Sequence, residues 1–173
     1  MALVVEDGSG VANANAYVDV AGYRAWATAR GLPLPSDDSE GNTKIEQAIY
    51  KATDYLETIP TFGGETSEDD QSLSFPRKCL YISGKLFAVD KIPKQIVLAS
   101  YQLVAAVLAG VDLMPNVSGN ASDYVKREKV GPIETEYASA TDFDGQTTLT
   151  SVNALLALLL DAEGPMSFRV DRG

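Results

Sequence analysis

The stretch from Tyr124 to Tyr137, YVKREKVGPIETEY, constrains the fold of this chain more than any other. Its two halves differ in charge and meet at Gly131-Pro132. A two-residue turn there sets Val130 opposite Ile133, Lys129 opposite Glu134, Arg127 opposite Glu136 and Lys126 opposite Tyr137. Both opposite-charge pairs then fall on one face. A slip by one residue loses both pairs and turns every side chain to the other face. The pattern predicts a β-hairpin within residues 122–139. Such an element builds shape or joins subunits; it does not do chemistry.

Helical signals dominate elsewhere. Residues 1–16 read as an N-terminal arm, with Leu3 to Val5 as a short strand and a turn at Gly8-Ser9-Gly10. Asp19 is placed to cap a helix running to Arg30 and stopped by Gly31, with Val18 and Tyr23 as a hydrophobic staple. Residues 32–42 read as a polar loop. Thr43 and Glu46 have the spacing of a capping box, and Ile45, Ala48, Ile49, Ala52 and Leu56 recur at helical spacing behind it. Pro60 ends that helix. Phe62 to Gln71 reads as a mobile surface loop and Ser72 to Lys78 as extended chain, because Pro76 restricts Phe75.

Pro93 fits the first turn of a helix reaching about Ala109, with Gly110 as its stop. Ile96, Val97, Leu103, Val104, Val107 and Leu108 give it an apolar side, and Ala99, Ala105 and Ala106 keep the rest small. A last helix is expected over 150–162, stopped by Gly164-Pro165, and it too is apolar nearly all round. Helices of that kind are buried on more than one side. Either they are central in a compact bundle, or part of their surface meets a neighbouring subunit. Residues 164–173 read as a C-terminal arm, in which Phe168 and Val170 alternate with Arg169 and Asp171; extended arms often add to a partner's sheet or groove. The expected fold is mainly α: one domain over 1–173, a small bundle of about four helices with a core over 17–110, a β-hairpin insertion and extended terminal arms.

At 173 residues such a domain buries roughly 70% of its unfolded surface, so no covalent staple is needed. The chain has 24 acidic and 14 basic residues, a formal charge of −10. An acidic surface repels phosphate backbones and disfavours nucleic-acid binding through counterion release. There is no histidine, which removes the commonest general base, the Ser-His and Cys-His pairs and most zinc sites. Gly8-Ser9-Gly10 lacks the Gly-Lys-Ser/Thr of a phosphate loop and reads as a turn. The acidic clusters Asp37, Asp38, Glu40 and Glu65, Glu68, Asp69, Asp70 do not match a calcium-loop spacing and read as solvated loops. Cys79 is the single cysteine, so no internal disulfide forms, and its thiol reads as packed or incidental. Asp54 with Glu57 and Glu134 with Glu136 are carboxylate pairs, but nothing places one member in a dry pocket. Phe75 to Tyr81 is the nearest approach to a basic-aromatic patch for single strands. No apolar stretch is long enough to span a membrane. The expectation is a soluble, self-associating, non-enzymatic protein with no catalytic residue, cofactor or metal.

Several blocks in order resemble the head–tail connector (adaptor) proteins of tailed bacteriophages, a group that also carries the description DnaT-like single-stranded-DNA-binding protein. They are VVEDGSGVANANAYV from Val4, the Tyr23 to Gly31 segment ending in ARG, EQAIYKATDYLE from Glu46 and SFPRK from Ser74. IPKQIVLASYQLVAAVLAG from Ile92, KREKVGPIETEYA from Lys126 and VNALLALLL from Val152 complete the set. That family more often has Trp where this chain has Phe75. The resemblance implies a ring of subunits, commonly a dodecamer, beneath the portal protein at the capsid vertex. Tail or neck proteins (stopper, tail-completion or tail-hub) would bind its far side, and double-stranded DNA would pass through it without sequence-specific binding. The location implied is the virion neck, assembled in the host bacterial cytoplasm. On that basis the hairpin residues Tyr124, Lys126, Arg127, Lys129, Glu134, Glu136 and Tyr137 are expected at an interface. Ile96, Val97, Leu103, Val104, Val107 and Leu108 are expected between subunits, and Phe168, Arg169, Val170 and Arg172 on the portal. The alternatives are a single-stranded-DNA-binding replication accessory and a stopper or tail-completion protein.

Overall fold

In the computed structural model, residues 2–58, 60–114, 127–130, 133–136 and 149–160 are described, the strands at 127–136 by backbone pairing alone. The Asp19 carboxylate accepts from the Gly22 amide at 2.6 Å and starts helix α1, Val20–Thr28. Gly31, at φ +64°, takes the left-handed turn that follows. Val18 and Tyr23 are both buried, as a staple requires.

Helix α2, Ser39–Thr58, begins four residues before the expected capping box. Its cap is Asp38, whose carboxylate accepts from the Gly41 amide at 2.7 Å. Thr43 instead donates its hydroxyl back to the Ser39 carbonyl. A Cβ on Gly41 would lie 1.9 Å from the Ser36 oxygen, so the loop can cross the first turn only over a glycine. The expected stripe of Ile45, Ala48, Ile49, Ala52 and Leu56 is buried throughout. Helix α3, Lys94–Leu108, follows Pro93 and ends before Gly110, at φ +89°.

Between α2 and α3 the chain departs from the expected mobile loop. Glu65–Thr66 (β1) pairs antiparallel with Arg77–Lys78 (β2), and Tyr81–Ile82 (β3) pairs with Lys85–Leu86 (β4). Phe62, Leu73, Phe75 and Leu80 from this segment are buried in the core. Phe62 and Phe75 meet edge to face with ring centroids 4.9 Å apart. Arg127–Val130 (β5) and Ile133–Glu136 (β6) form the third antiparallel pair, in the expected register: Arg127 with Glu136, Lys129 with Glu134, Val130 with Ile133. Helix α4, Thr150–Leu156, is seven residues long rather than running to 162. Beyond it Leu160 bridges to Phe62, and the Gly63 amide donates to the Leu159 carbonyl at 2.9 Å.

These elements overturn the expected small helical bundle. The four helices among the described residues differ greatly in length. The chain between α2 and α3 supplies part of the core through small antiparallel pairs, because apolar side chains drew that backbone inward and its amides and carbonyls then needed partners. The extended N-terminal arm is overturned as well. Residues 2–16 close on themselves through a parallel bridge between Val5 and Ala16. The Glu6 carboxylate, 3% exposed, accepts from the amides of Gly8, Gly10 and Val11. The turn at Gly8-Ser9-Gly10 is thus an anion-binding nest filled by the chain's own carboxylate.

Candidate functional site

The most connected polar group in the described chain joins α1's approach, α2 and β2. Tyr17, which leads into α1, donates its hydroxyl to Glu57 Oε1 at 2.5 Å. Glu57 Oε2 accepts from the Ser74 amide at 2.8 Å and the Ser74 hydroxyl at 2.7 Å. The Phe75 amide donates to the Tyr17 oxygen at 3.1 Å. Next to this, the Arg77 guanidinium donates to the carbonyls of Phe62, Gly63, Gly64 and Ser74 at 2.8–3.1 Å. Burial, and then the Glu57 charge, push the Tyr17 phenol far above its ordinary range. Burial likewise lowers the Arg77 guanidinium from its ordinary value. The phenol therefore stays neutral and the guanidinium is consumed by backbone. These groups fasten the β-rich segment to the helices; Phe75 and Pro76 are buried, and the half-buried Arg77 is committed to backbone carbonyls.

The residues expected at interfaces are distributed unevenly. Ile96, Leu103 and Val104 have no exposed surface and pack in the subunit's own core, whereas Val97, Val107 and Leu108 are half-buried. Of the hairpin set, Arg127, Lys129, Glu134 and Glu136 fall on β5 and β6 at paired positions. Tyr124, Lys126 and Tyr137 lie outside the described residues, as do Phe168, Arg169, Val170 and Arg172. Among the carboxylate pairs, Asp54 is exposed and Glu57 belongs to the Tyr17 group. Cys79 is exposed, with φ +56°.

The sequence reading missed the hairpin of β3 and β4. Ser83 and Gly84 both have positive φ, +51° and +76°, the requirement of a two-residue type I′ turn. Ser-Gly between Leu80-Tyr81-Ile82 and Leu86-Phe87 was the available signal. Tyr81 and Leu86 stand directly opposite, so their side chains share a face. Each is 62% exposed, and Val89 just beyond is exposed too. Lys85, Lys91 and Lys94 are exposed nearby in sequence and make no ion pair among the described residues.

A cleft of about 450 Å³ lies between the loop after α1 and the C-terminal end of α3. Leu32, Pro33, Leu34, Ala105, Leu108 and Ala109 line it, with Tyr23 and Lys44. Its lining Lys44 is ion-paired with the exposed Glu40 at 2.7 Å, and Arg24 pairs with the exposed Asp37 at 3.5 Å. A second cleft, about 410 Å³, is lined by residues including Lys51, Val107 and Met114. Among the described residues no three side chains of metal-ligating type gather as a cation would need, and no helix is long and apolar enough to cross a membrane.

No curated protein and no solved structure matches the chain. The family model described as "Putative DnaT-like ssDNA binding protein" matches residues 1–173, and the protein belongs to that family.

Proposed function

We propose that the protein is a non-enzymatic structural subunit of a tailed-phage head–tail connector. It would assemble with its own copies into a ring beneath the portal, contact tail or neck proteins on the far side, and sit in the virion neck. The observation that carries this reading is the division of labour among side chains. The connected polar groups around Tyr17, Glu57, Ser74 and Arg77 are used up in holding loops, while large apolar side chains at Tyr81, Leu86 and Val89 stand in solvent. A protein that spends its polar groups on shape and exposes an apolar hairpin is built to be covered by protein. The formal charge of −10 suits a channel through which duplex DNA slides, because an acidic wall offers few phosphate contacts. The resemblance of the ordered blocks from Val4 to Leu160 to connector proteins is what favours a connector within this class.

Single-stranded-DNA binding is the second reading. The family's description favours it, and so does one observation: Tyr81, exposed for stacking, lies in a segment carrying Lys85, Lys91 and Lys94. Electron microscopy of the protein mixed with portal, beside a salt titration with oligo-dT, separates the two. A ring beneath the portal and no binding of the oligonucleotide at low salt is expected. No ring, with oligonucleotide binding that falls steeply as salt rises, would replace the first reading with the second.

A further inference from the structure

The β3–β4 hairpin is apolar on both faces. Leu80 is buried, and Ile82 and Phe87 pack against the core, on its inner face. Tyr81 and Leu86 stand opposite one another on the outer face, each 62% exposed. A hairpin with one side in water alternates apolar with polar; apolar side chains on both sides mark strands that are covered twice. We infer that a second copy of this chain supplies the outer cover. Two hairpins stack outer face to outer face about a twofold axis, the tip of each over the base of the other.

Two observations point to a second copy. The first is where apolar surface gathers. Among the described residues five large apolar side chains are exposed; Tyr81, Leu86 and Val89 belong to this hairpin and its exit, and Met114 and Leu158 lie on separate segments. The second is that the charges around the hairpin complement themselves. An acidic loop sits at its base: Glu65 pairs with Lys78 just before the hairpin, and the Ser67 hydroxyl donates to the Val89 carbonyl at 3.2 Å just after it. Glu68, Asp69 and Asp70 follow in that loop, exposed and in no ion pair among the described residues. At the other end Lys85 adjoins the Ser83-Gly84 turn, likewise exposed and without an ion pair. It leaves from the inner face, and its long stem reaches round the rim. Tip over base brings Lys85 of each copy to the acidic loop of the other, twice. Tip over tip sets lysine on lysine and acid on acid, so charge selects the first arrangement. Lys91 and Lys94 lie beyond the base, on the way into α3, and take no part.

Such a contact uses the same patch on both subunits and stops at two copies. It goes beyond the ring reading, since a twofold contact does not propagate round a ring. It covers the hairpin in the free protein and opens where a neck protein or ring neighbour takes that face. Three apolar side chains fall short of the roughly 800 Å² per partner of a stable complex, so the dimer is weak and concentration-dependent.

Sedimentation velocity on the full chain tests this. Wild type is expected to pass from monomer to dimer with rising concentration and to go no further. Leu86→Lys and Tyr81→Lys, both at exposed positions, should each stay monomeric with unchanged circular dichroism. Lys85→Glu should weaken the dimer by about tenfold, and adding Asp69→Lys with Asp70→Lys should restore it. Wild type monomeric at every concentration overturns the proposal, as do species that grow past the dimer or a folded Leu86→Lys that associates like wild type. Failure of the triple variant to recover overturns the tip-over-base arrangement. Loss of oligo-dT binding in Tyr81→Lys, with self-association intact, would assign the hairpin to single-stranded DNA and overturn it equally. Rings on the portal from a wild type that is monomeric in solution would keep the connector reading and remove only this contact.

Discussion

Glu57 uses both carboxylate oxygens, one on the Tyr17 hydroxyl and one on Ser74. Removing the carboxylate strands a phenol that is almost wholly buried and an amide beside the core. Hydrogen bonds to a charged group count for about 1.5–3 kcal/mol, and a stranded buried donor adds its desolvation cost. Glu57→Ala is therefore expected to lower the unfolding free energy by about 2–3 kcal/mol in urea titration. Asp54→Ala, one turn earlier at an exposed position, should change it by less than about 0.5 kcal/mol. The same site predicts an alkaline dependence. Burial and then Glu57 raise the Tyr17 phenol above its ordinary value of 10.0, so the folded chain holds that proton more tightly than the unfolded chain does. The resulting stability is complete below pH 10 and is lost as pH climbs from there towards the folded-state value. Measured against Tyr17→Phe, the wild-type advantage should be constant up to that point and then shrink by about 1.4 kcal/mol per pH unit. A difference that stays flat to strongly alkaline pH would show that Tyr17 is not held neutral by its surroundings.

At the scale of elements, helix α2 separates a sequence signal from the physical cap. Thr43 and Glu46 have capping-box spacing, yet Asp38 holds the Gly41 amide and the helix starts at Ser39. Asp38→Ala should cost about 1 kcal/mol of stability by thermal or urea unfolding, and Thr43→Ala no more than about 0.5 kcal/mol. Equal losses would restore the later start. Where one periodicity ran long enough, the elements were legible beforehand: the cap and stop of α1, the buried stripe of α2, the limits of α3 and the register of β5 with β6. The connection between α2 and α3 was not. Its strand pairs are two residues long, too short for alternation to show, and its Gly, Ser and acidic residues resemble a solvated loop. Nothing local reveals that Arg77 gathers four carbonyls or that Phe62 meets Phe75. The expected fourth helix starts at Thr150 as expected but stops early for the opposite reason: the apolar run continues through Leu158 to Leu160, but Leu160 bridges to Phe62 instead of adding another turn. The hairpin of β3 and β4 was visible only as Ser83-Gly84 between apolar neighbours, a signal obscured by the stronger Pro-Arg sequence before it.

At the scale of the whole molecule, the acidic balance makes the placement of basic residues informative. Two basic residues sit on β5, each opposite a glutamate on β6. Cross-strand and surface ion pairs contribute only about 0.2–1 kcal/mol each, so register alone is a weak use for them. If they also meet a partner, folding and assembly will respond differently to charge reversal. Arg127→Glu with Lys129→Glu places like charges opposite one another and should lower stability by about 1–2 kcal/mol in urea titration. Adding Glu134→Lys and Glu136→Arg restores opposite charges at both paired positions, and stability should return to within about 0.5 kcal/mol of wild type. Assembly into the ring, followed by electron microscopy with portal, is expected to fail in both variants. The fourfold exchange mends the hairpin's own pairing but exchanges the charges its two strands offer a neighbour. Recovery of assembly together with stability would mean that the four charges serve register alone, and the contacts that build the ring would then lie elsewhere on the subunit.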